Sequence, residues 1–440
     1  MERIAAELTW IDGRFAPGIV VEVGDDGRIA AVGAAPDGDG AATLGLPRRA
    51  LLPGFVDAHS HAFQRGLRGR GERFPAGSGS FWSWREEMYG LVGDLDRDRL
   101  FDLSLAAFRE MRAAGITTVG EFHYLHHDDA DAADFAFDEV VLAAAAAAPI
   151  RIVLLEAYYA TGGFGQPLAG GQRRFACTSP DAYWRQVDHL AGRLAGDGTQ
   201  TIGAVVHSLR AAPLDDLAVL HAEARRRGLV FHLHLEEQRR EIEECLAAHG
   251  RRPFELLLAL GPGEETTAVH CTHSDPEDLG RFVAAGGNVC VCPLTEANLG
   301  DGIPPLAGLL AGRPGARRQL CLGTDSNTRI SMLEEARWLE YGQRLAGERR
   351  GVLADDDGEV AAVLLAAATT GGARSLGLPV GALTAGRWAD FALLDLDHPD
   401  LAGADAETLA ATLVFGAGDA VVAGTALAGR WSDEAMSRPP

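Results

Sequence analysis

Lysine is absent from this 440-residue chain, and all 40 basic residues are arginine. That absence excludes Schiff-base chemistry, the lysine of a phosphate-binding loop, and a carboxylated lysine bridging two metal ions. Long apolar runs are missing too. The longest lies within residues 140–150, too short to span a bilayer. Residues 1–10 carry no signal-peptide pattern, so the expected location is the cytoplasm. Cysteine is scarce. The six, at 177, 245, 271, 290, 292 and 321, are scattered through apolar stretches and read as reduced core residues. Cys290 and Cys292 lack the second pair that a soft-metal site would need. Positive charge is in deficit, and the net charge of −22 argues against nucleic acid and anionic membranes as partners. An anionic substrate would therefore have to meet arginines inside its own site.

What is present is the composition of a globular protein, 47% hydrophobic and 23% charged. Residues 1–50 hold short β-like runs (8–11, 19–23, 29–32), separated by Asp-Gly turns and followed by a Gly/Pro/Asp-rich stretch. Then come eight apolar runs, at about 50–59, 116–124, 151–159, 201–208, 229–235, 266–273, 288–294 and 319–326. Helical patterns alternate with them, at 97–114, 180–194, 214–227, 276–285, 333–344 and 360–376. Eight strands buried on both faces and alternating with helices predict an α/β fold of the (β/α)8, TIM-like barrel type. A doubly wound open sheet ranks below it, because no G-x-G-x-x-G opens a helix. Beyond the alternation there is no internal repeat, and disorder is expected only in the last few residues.

His or Asp closes run after run: His59 and His61, His123, His207, His234, His270 and Asp325. In a parallel barrel those ends form the catalytic face. Residues two apart on a strand point the same way, so His59 and His61 project together and suit one metal ion.

The lead into that pair, PGFVDAHSH from Pro53 to His61, resembles the first barrel strand of the metal-dependent amidohydrolase superfamily. The LGTDS of Leu322 to Ser326 resembles the end of that superfamily's eighth strand. The segment Gly381 to Asp395 resembles its return into a small β domain. The resemblance implies a barrel over 51–379 and a small β-sandwich built from 1–50 and 380–430. It also implies one divalent metal ion held by His59, His61, His234 and Asp325. Zinc is the expected ion, though nitrogen and oxygen ligands tolerate Fe²⁺, Mn²⁺ or Ni²⁺. Without a lysine, one metal fits better than two.

In the single-metal deaminases of this superfamily an H-x-x-E glutamate moves a proton at the attacked C–N group, which assigns the role to Glu237. The neighbouring Glu236 departs from the usual pattern. His270 matches the sixth-strand histidine that positions the attacking water, with His273 as the alternative. Asp325 then passes the water proton to the leaving amine. His232, one layer deeper on strand five, reads as core.

The stretches HSHAFQR (from His59), FWSWREEMY (from Phe81), EFHY (from Glu121), HSLRA (from His207) and TEANLGDG (from Thr295) narrow the resemblance. They are similar to the amidohydrolases that convert N-formimino-L-glutamate and water to N-formyl-L-glutamate and ammonia in histidine degradation. That substrate carries two carboxylates and a cationic amidine. Arg210 can clamp a carboxylate with a two-point fork. Arg85 is a second candidate, its alternative being a surface or subunit contact. Gln64, Tyr124 and His207 would supply further contacts, and a homodimer is the family expectation. The rivals are a deaminase of the guanine, adenosine or triazine type and a non-catalytic scaffold of the same fold. A ring substrate needs aromatic walls rather than an arginine after strand four, and a scaffold would have lost metal ligands.

Overall fold

The computed structural model describes residues 1–34, 43–72, 74, 77 and 79–432. The Gly/Pro/Asp-rich stretch after residue 34 and the last eight residues, for which turn and disorder were expected, lie outside the described residues.

Eight parallel strands follow one another around a barrel: Phe55–Ser60, Ile116–His123, Arg151–Tyr158, Gln200–Ser208, Phe231–Leu235, Thr266–His270, Asn288–Val291 and Leu320–Leu322. Strands two and three are buried at every residue. This is why their sequences are continuous apolar runs without alternation. The helices end where their chemistry says. Ser179 caps Pro180–Leu194 by accepting from the Ala182 N–H. Helix Leu214–Arg227 has Asp215 and Asp216 in its first turn and Arg225, Arg226 and Arg227 in its last, complementing the helix dipole.

The barrel closes where strand one meets the residues just after strand eight. The Asp325 N–H donates to the His59 carbonyl at 2.9 Å, and the His61 N–H donates to the Asp325 carbonyl at 2.9 Å. Asp57 reinforces the seam by accepting from the Thr324 N–H at 3.0 Å and hydroxyl at 2.6 Å. Gly323 must lack a side chain there, because a Cβ would sit 2.7 Å from the His59 carbonyl oxygen.

The first apolar run is two strands, not one. Leu44–Pro53 belongs to a separate mixed sheet, and the first barrel strand begins at Phe55. Leu51 packs into that sheet's own apolar cluster with Ile4 and Phe391, whereas Ala50 and Leu52 face the barrel core. With both faces buried the strand reads as a barrel strand. Gly54 breaks the run, since a Cβ there would lie 2.1 Å from the Thr117 hydroxyl.

The separate sheet has eight strands from both chain ends: Glu2–Ile11, Arg14–Ala16, Ile19–Val23, Ile29–Ala34, Leu44–Pro53, Phe391–Asp395, Val422–Leu427 and Arg430–Trp431. Several barrel strands stop short of the apolar runs that announced them. Strand seven ends at Val291 because Pro293 starts helix Pro293–Leu299. Strand six ends at His270, where the backbone turns to φ +71° and then +54° at Cys271. Gln319 falls in a 3-10 turn before strand eight, and the helix expected over 360–376 contains a π turn at Ala367–Gly371.

Candidate metal centre and active site

His59, His61, His234 and Asp325 converge at the C-terminal mouth of the barrel, their ligand atoms within 4.8 Å of one another. The tautomers of two imidazoles are determined by carbonyls, which only accept. The Nδ1–H of His61 faces the Phe122 oxygen at 2.8 Å, and that of His234 faces the His207 oxygen at 2.8 Å. Their Nε2 lone pairs therefore point inward. The His61 and His234 Nε2 atoms are 3.3 Å apart, and those of His234 and His59 are 3.1 Å apart. Asp325 Oδ1 lies 3.3 Å from His61 Nε2 and 3.6 Å from His59 Nε2. Zinc–ligand bonds of about 2.0–2.1 Å place tetrahedral ligands about 3.3–3.4 Å apart, so this donor set fits one divalent cation. Burial lowers the affinity of all three imidazoles for a proton, His61 to about 3, leaving them neutral as metal ligands must be.

Above these residues opens a cavity of about 780 Å³. Gln64, Arg85, Tyr124, His207, Arg210, Glu237, His270 and Asp325 all line it, and His59 lies beneath. Gln64 donates to the Tyr124 hydroxyl at 2.7 Å. Arg210 is 8% exposed, and its Nε has no hydrogen-bond partner among the described residues. Burial opposes its charge, and the Glu241 and Glu237 carboxylates outweigh that opposition. His207 is held far below the usual imidazole range by burial and by the Arg210 charge. Arg85 reaches the cavity from helix Phe81–Gly93, donating to the Tyr89 hydroxyl at 2.7 Å beside the Trp82 ring.

Neighbouring residues that the sequence left unresolved are separated by backbone conformation. Strict alternation along strand five would put Glu236 on the face of His232 and His234. Instead Glu236 adopts φ +50° and turns away, accepting from Arg252 at 3.0 Å and the Phe254 N–H at 3.3 Å. Glu237 takes its place in the cavity. Its carboxyl is pushed above the usual range by burial, with His270 and Arg210 pulling the other way. His270 lines the cavity and His273 does not; the His273 ring packs near Gly302. The His270 imidazole is pushed up to about 10: burial opposes protonation, and Glu237, Glu296 and Asp325 outweigh it. Its Nε2 lies 3.9 Å from Asp325 Oδ2. His232 is buried beneath, its Nε2–H donating to the Ser375 carbonyl at 2.8 Å. Positive φ at Glu236, His270, Cys271 and Asp325 concentrates backbone strain at this mouth.

Other residues of the cavity wall went unassigned in the sequence, Tyr159, Arg240 and Trp84 among them. Tyr159 ends the third apolar run, the Arg240 guanidinium lies 4.3 Å from the Trp82 ring centre, and Trp84 also lines the cavity. Their signal was weak, since aromatics at strand ends and arginines on helices are ordinary. Outside the cavity, His123 joins a second buried cluster. Asp138 Oδ1 lies 3.0 Å from both His123 Nε2 and His126 Nδ1, and Glu156 Oε1 lies 3.4 Å from His126 Nδ1.

Residues 50–432 match the amidohydrolase family. The chain belongs to that family, and its donor set at the barrel mouth could hold a metal ion. Within the family, a formimidoylglutamate deiminase of Pseudomonas aeruginosa is 39% identical over 439 residues, covering 98% of this chain and 94% of the relative. An amidohydrolase structure from Brucella melitensis superposes with a TM-score of 0.88 at 32% identity, covering 98% of this chain and 94% of that one. An adenosine deaminase structure from Xanthomonas campestris with bound zinc shares the fold, with a TM-score of 0.80 at 23% identity over 98% and 92% of the two chains.

Proposed function

We propose that the chain hydrolyses N-formimino-L-glutamate to N-formyl-L-glutamate and ammonia. The observation that carries this reading is the full-length likeness to the formimidoylglutamate deiminase of Pseudomonas aeruginosa. Aromatic rings line part of the cavity, and what supports this reading against a ring-deaminating one is Arg210, buried on the wall with an unpartnered Nε. The Glu241 and Glu237 carboxylates face the Arg210 charge, and the buried Nε that they leave unpartnered is the donor a substrate carboxylate would fill.

His59, His61, His234 and Asp325 would hold one divalent ion, zinc by choice. When bound it supplies the Lewis acidity that makes water a nucleophile near neutral pH. The remaining steps belong to the chain's own groups. Arg210 and Arg85 orient the two carboxylates, with Gln64, Tyr124 and His207 completing the wall. Glu237 faces the amidine and moves a proton at its nitrogen, a task suited to a carboxyl raised by burial. Asp325 turns Oδ1 toward His59 and His61 and Oδ2 toward His270. That second oxygen takes a proton from the attacking water and returns it to the departing nitrogen. The formimino carbon gains an oxygen, its bond to the terminal nitrogen breaks, and ammonia leaves.

Elemental analysis combined with an ammonia-release assay tests the reading. The expected result is one metal per chain and ammonia from formiminoglutamate, with none from guanine, adenosine or an aminotriazine. Two metals per active chain would overturn the single-ion site. Release from a ring amine alone would overturn the substrate.

A further inference from the structure

Glu296 takes no part in the chemistry described so far, yet it touches His270. It sits in the first turn of helix Pro293–Leu299, directly after strand seven, and is 3% exposed. Its Oε1 accepts from the Cys292 N–H at 3.0 Å, one of the donors a helix start leaves unpaired. The same oxygen faces His270 Nδ1 at 3.3 Å. That oxygen is already an acceptor toward the Cys292 N–H, so the proton between it and the imidazole belongs to His270 Nδ1. The opposite nitrogen, Nε2, then points toward Asp325 Oδ2 at 3.9 Å. On its other side the His270 ring stacks on His234, with centroids 5.5 Å apart and planes at 16°. His270 itself stands at φ +71°, a left-handed conformation uncommon for a residue other than glycine.

We infer that Glu296 is the positioning residue for His270, holding its Nδ1–H so that Nε2 alone faces the reacting water and Asp325. Glu296 is itself rigid, pinned by a backbone N–H of its own helix, and so hands the geometry of that helix to the imidazole. The catalytic part of the inference rests on the reaction proposed above; the Nδ1–H contact does not.

The experiment uses the zinc-loaded full chain labelled with [15N]histidine. Wild type should show a downfield His270 Nδ1 proton, assigned by its absence in His270→Asn. Glu296→Gln should keep it and Glu296→Ala should lose it. Imidazole-orienting partners are worth about 10–100-fold in activity. Glu296→Ala should therefore lower kcat by about that factor, with KM within about twofold and metal content unchanged. Glu296→Gln, which still accepts from Nδ1, should recover most of the loss. In the His270→Asn background Glu296→Ala should have no further effect, because the two act as one unit. A full loss in that background, or a KM that moves with kcat while metal is lost, would mean Glu296 only holds the loop together. If wild type releases no ammonia from formiminoglutamate, the substrate reading fails. The proton resonance then decides the positioning role by itself, its persistence in Glu296→Ala overturning it.

Discussion

At the scale of single residues the site separates roles that the sequence places side by side. Glu237→Gln should keep the metal and lose turnover by about 10²–10⁴-fold, the usual worth of a general acid–base group. Ammonia release beside metal analysis checks it, and a wild-type kcat would move the role elsewhere. Arg210→Met should lower kcat/KM on formiminoglutamate while leaving the metal site intact. With a net charge of −22 the dianion approaches against the overall field, so loss of this local cation is felt in full. The substrate carboxylate would also be left desolvated and unpaired, at a cost of a few kcal/mol. The loss should be far smaller on a formimino amine without carboxylates, and Lys should rescue poorly because an ammonium lacks the fork. Equal losses on both substrates would make Arg210 a structural residue.

At the scale of elements, the buried cluster around His126 ties strands two and three to helix Ala136–Ala147, which carries Asp138. The His126 Nε2–H donates to the Ala157 carbonyl at 2.7 Å, and Nδ1 faces Asp138 and Glu156. Burial works against the imidazolium, and the two carboxylates outweigh it, raising His126 well above its ordinary range. Burial likewise opposes the Asp138 charge, and His126 outweighs it, so Asp138 is depressed. A raised imidazole contributes stability that is fully present below about pH 6.5 and lost as pH rises through its folded value. A depressed carboxylate contributes stability present above about pH 3.9 and lost as pH falls through its folded value. The pair is thus charged and stabilising together across the neutral range. His126→Gln leaves the buried Asp138 carboxylate without its cation and should cost about 3–5 kcal/mol at pH 7. Urea denaturation of both proteins at several pH values reads this out. A variant as stable as wild type would show that the cluster is held by packing alone.

At the scale of the whole molecule, one buried ion pair joins the barrel to the mixed sheet. Arg151, at the start of strand three, donates from Nε to Asp390 Oδ2 at 2.7 Å and from a terminal nitrogen to Oδ1 at 3.1 Å. Its guanidinium also lies 4.5 Å from the Trp388 ring centre and contacts the Gly198 carbonyl. Arg151→Met would leave the buried Asp390 carboxylate with the Ala428 N–H at 2.8 Å and the more distant Arg112 charge. Stability should fall by about 3–5 kcal/mol with kcat and metal content unchanged, because the pair lies at the opposite end of strand three from the cavity. A lowered urea midpoint with unchanged activity is the expected outcome; unchanged stability would show that the sheet needs no such lock.

Local pattern was enough to mark the barrel and the His59/His61 pair, and the resemblance to the superfamily added His234 and Asp325 as candidate ligands. A strand buried on both faces must be apolar along its length, and polar residues that close such runs must sit at the mouth. Those rules act over a few residues and are legible without a structure. Which of two adjacent residues faces the cavity is a different matter. Glu236 and Glu237, or His270 and His273, differ by backbone turns at positive φ that strand alternation does not anticipate. The division of the run before Phe55 was hidden for a related reason, since Leu51 and Leu52 are both buried, in two different cores. The His126 cluster and the Glu296–His270 contact join residues from separate strands and helices. Only the barrel, with the residues after strand eight hydrogen-bonded back to strand one, brings such residues within reach of one another.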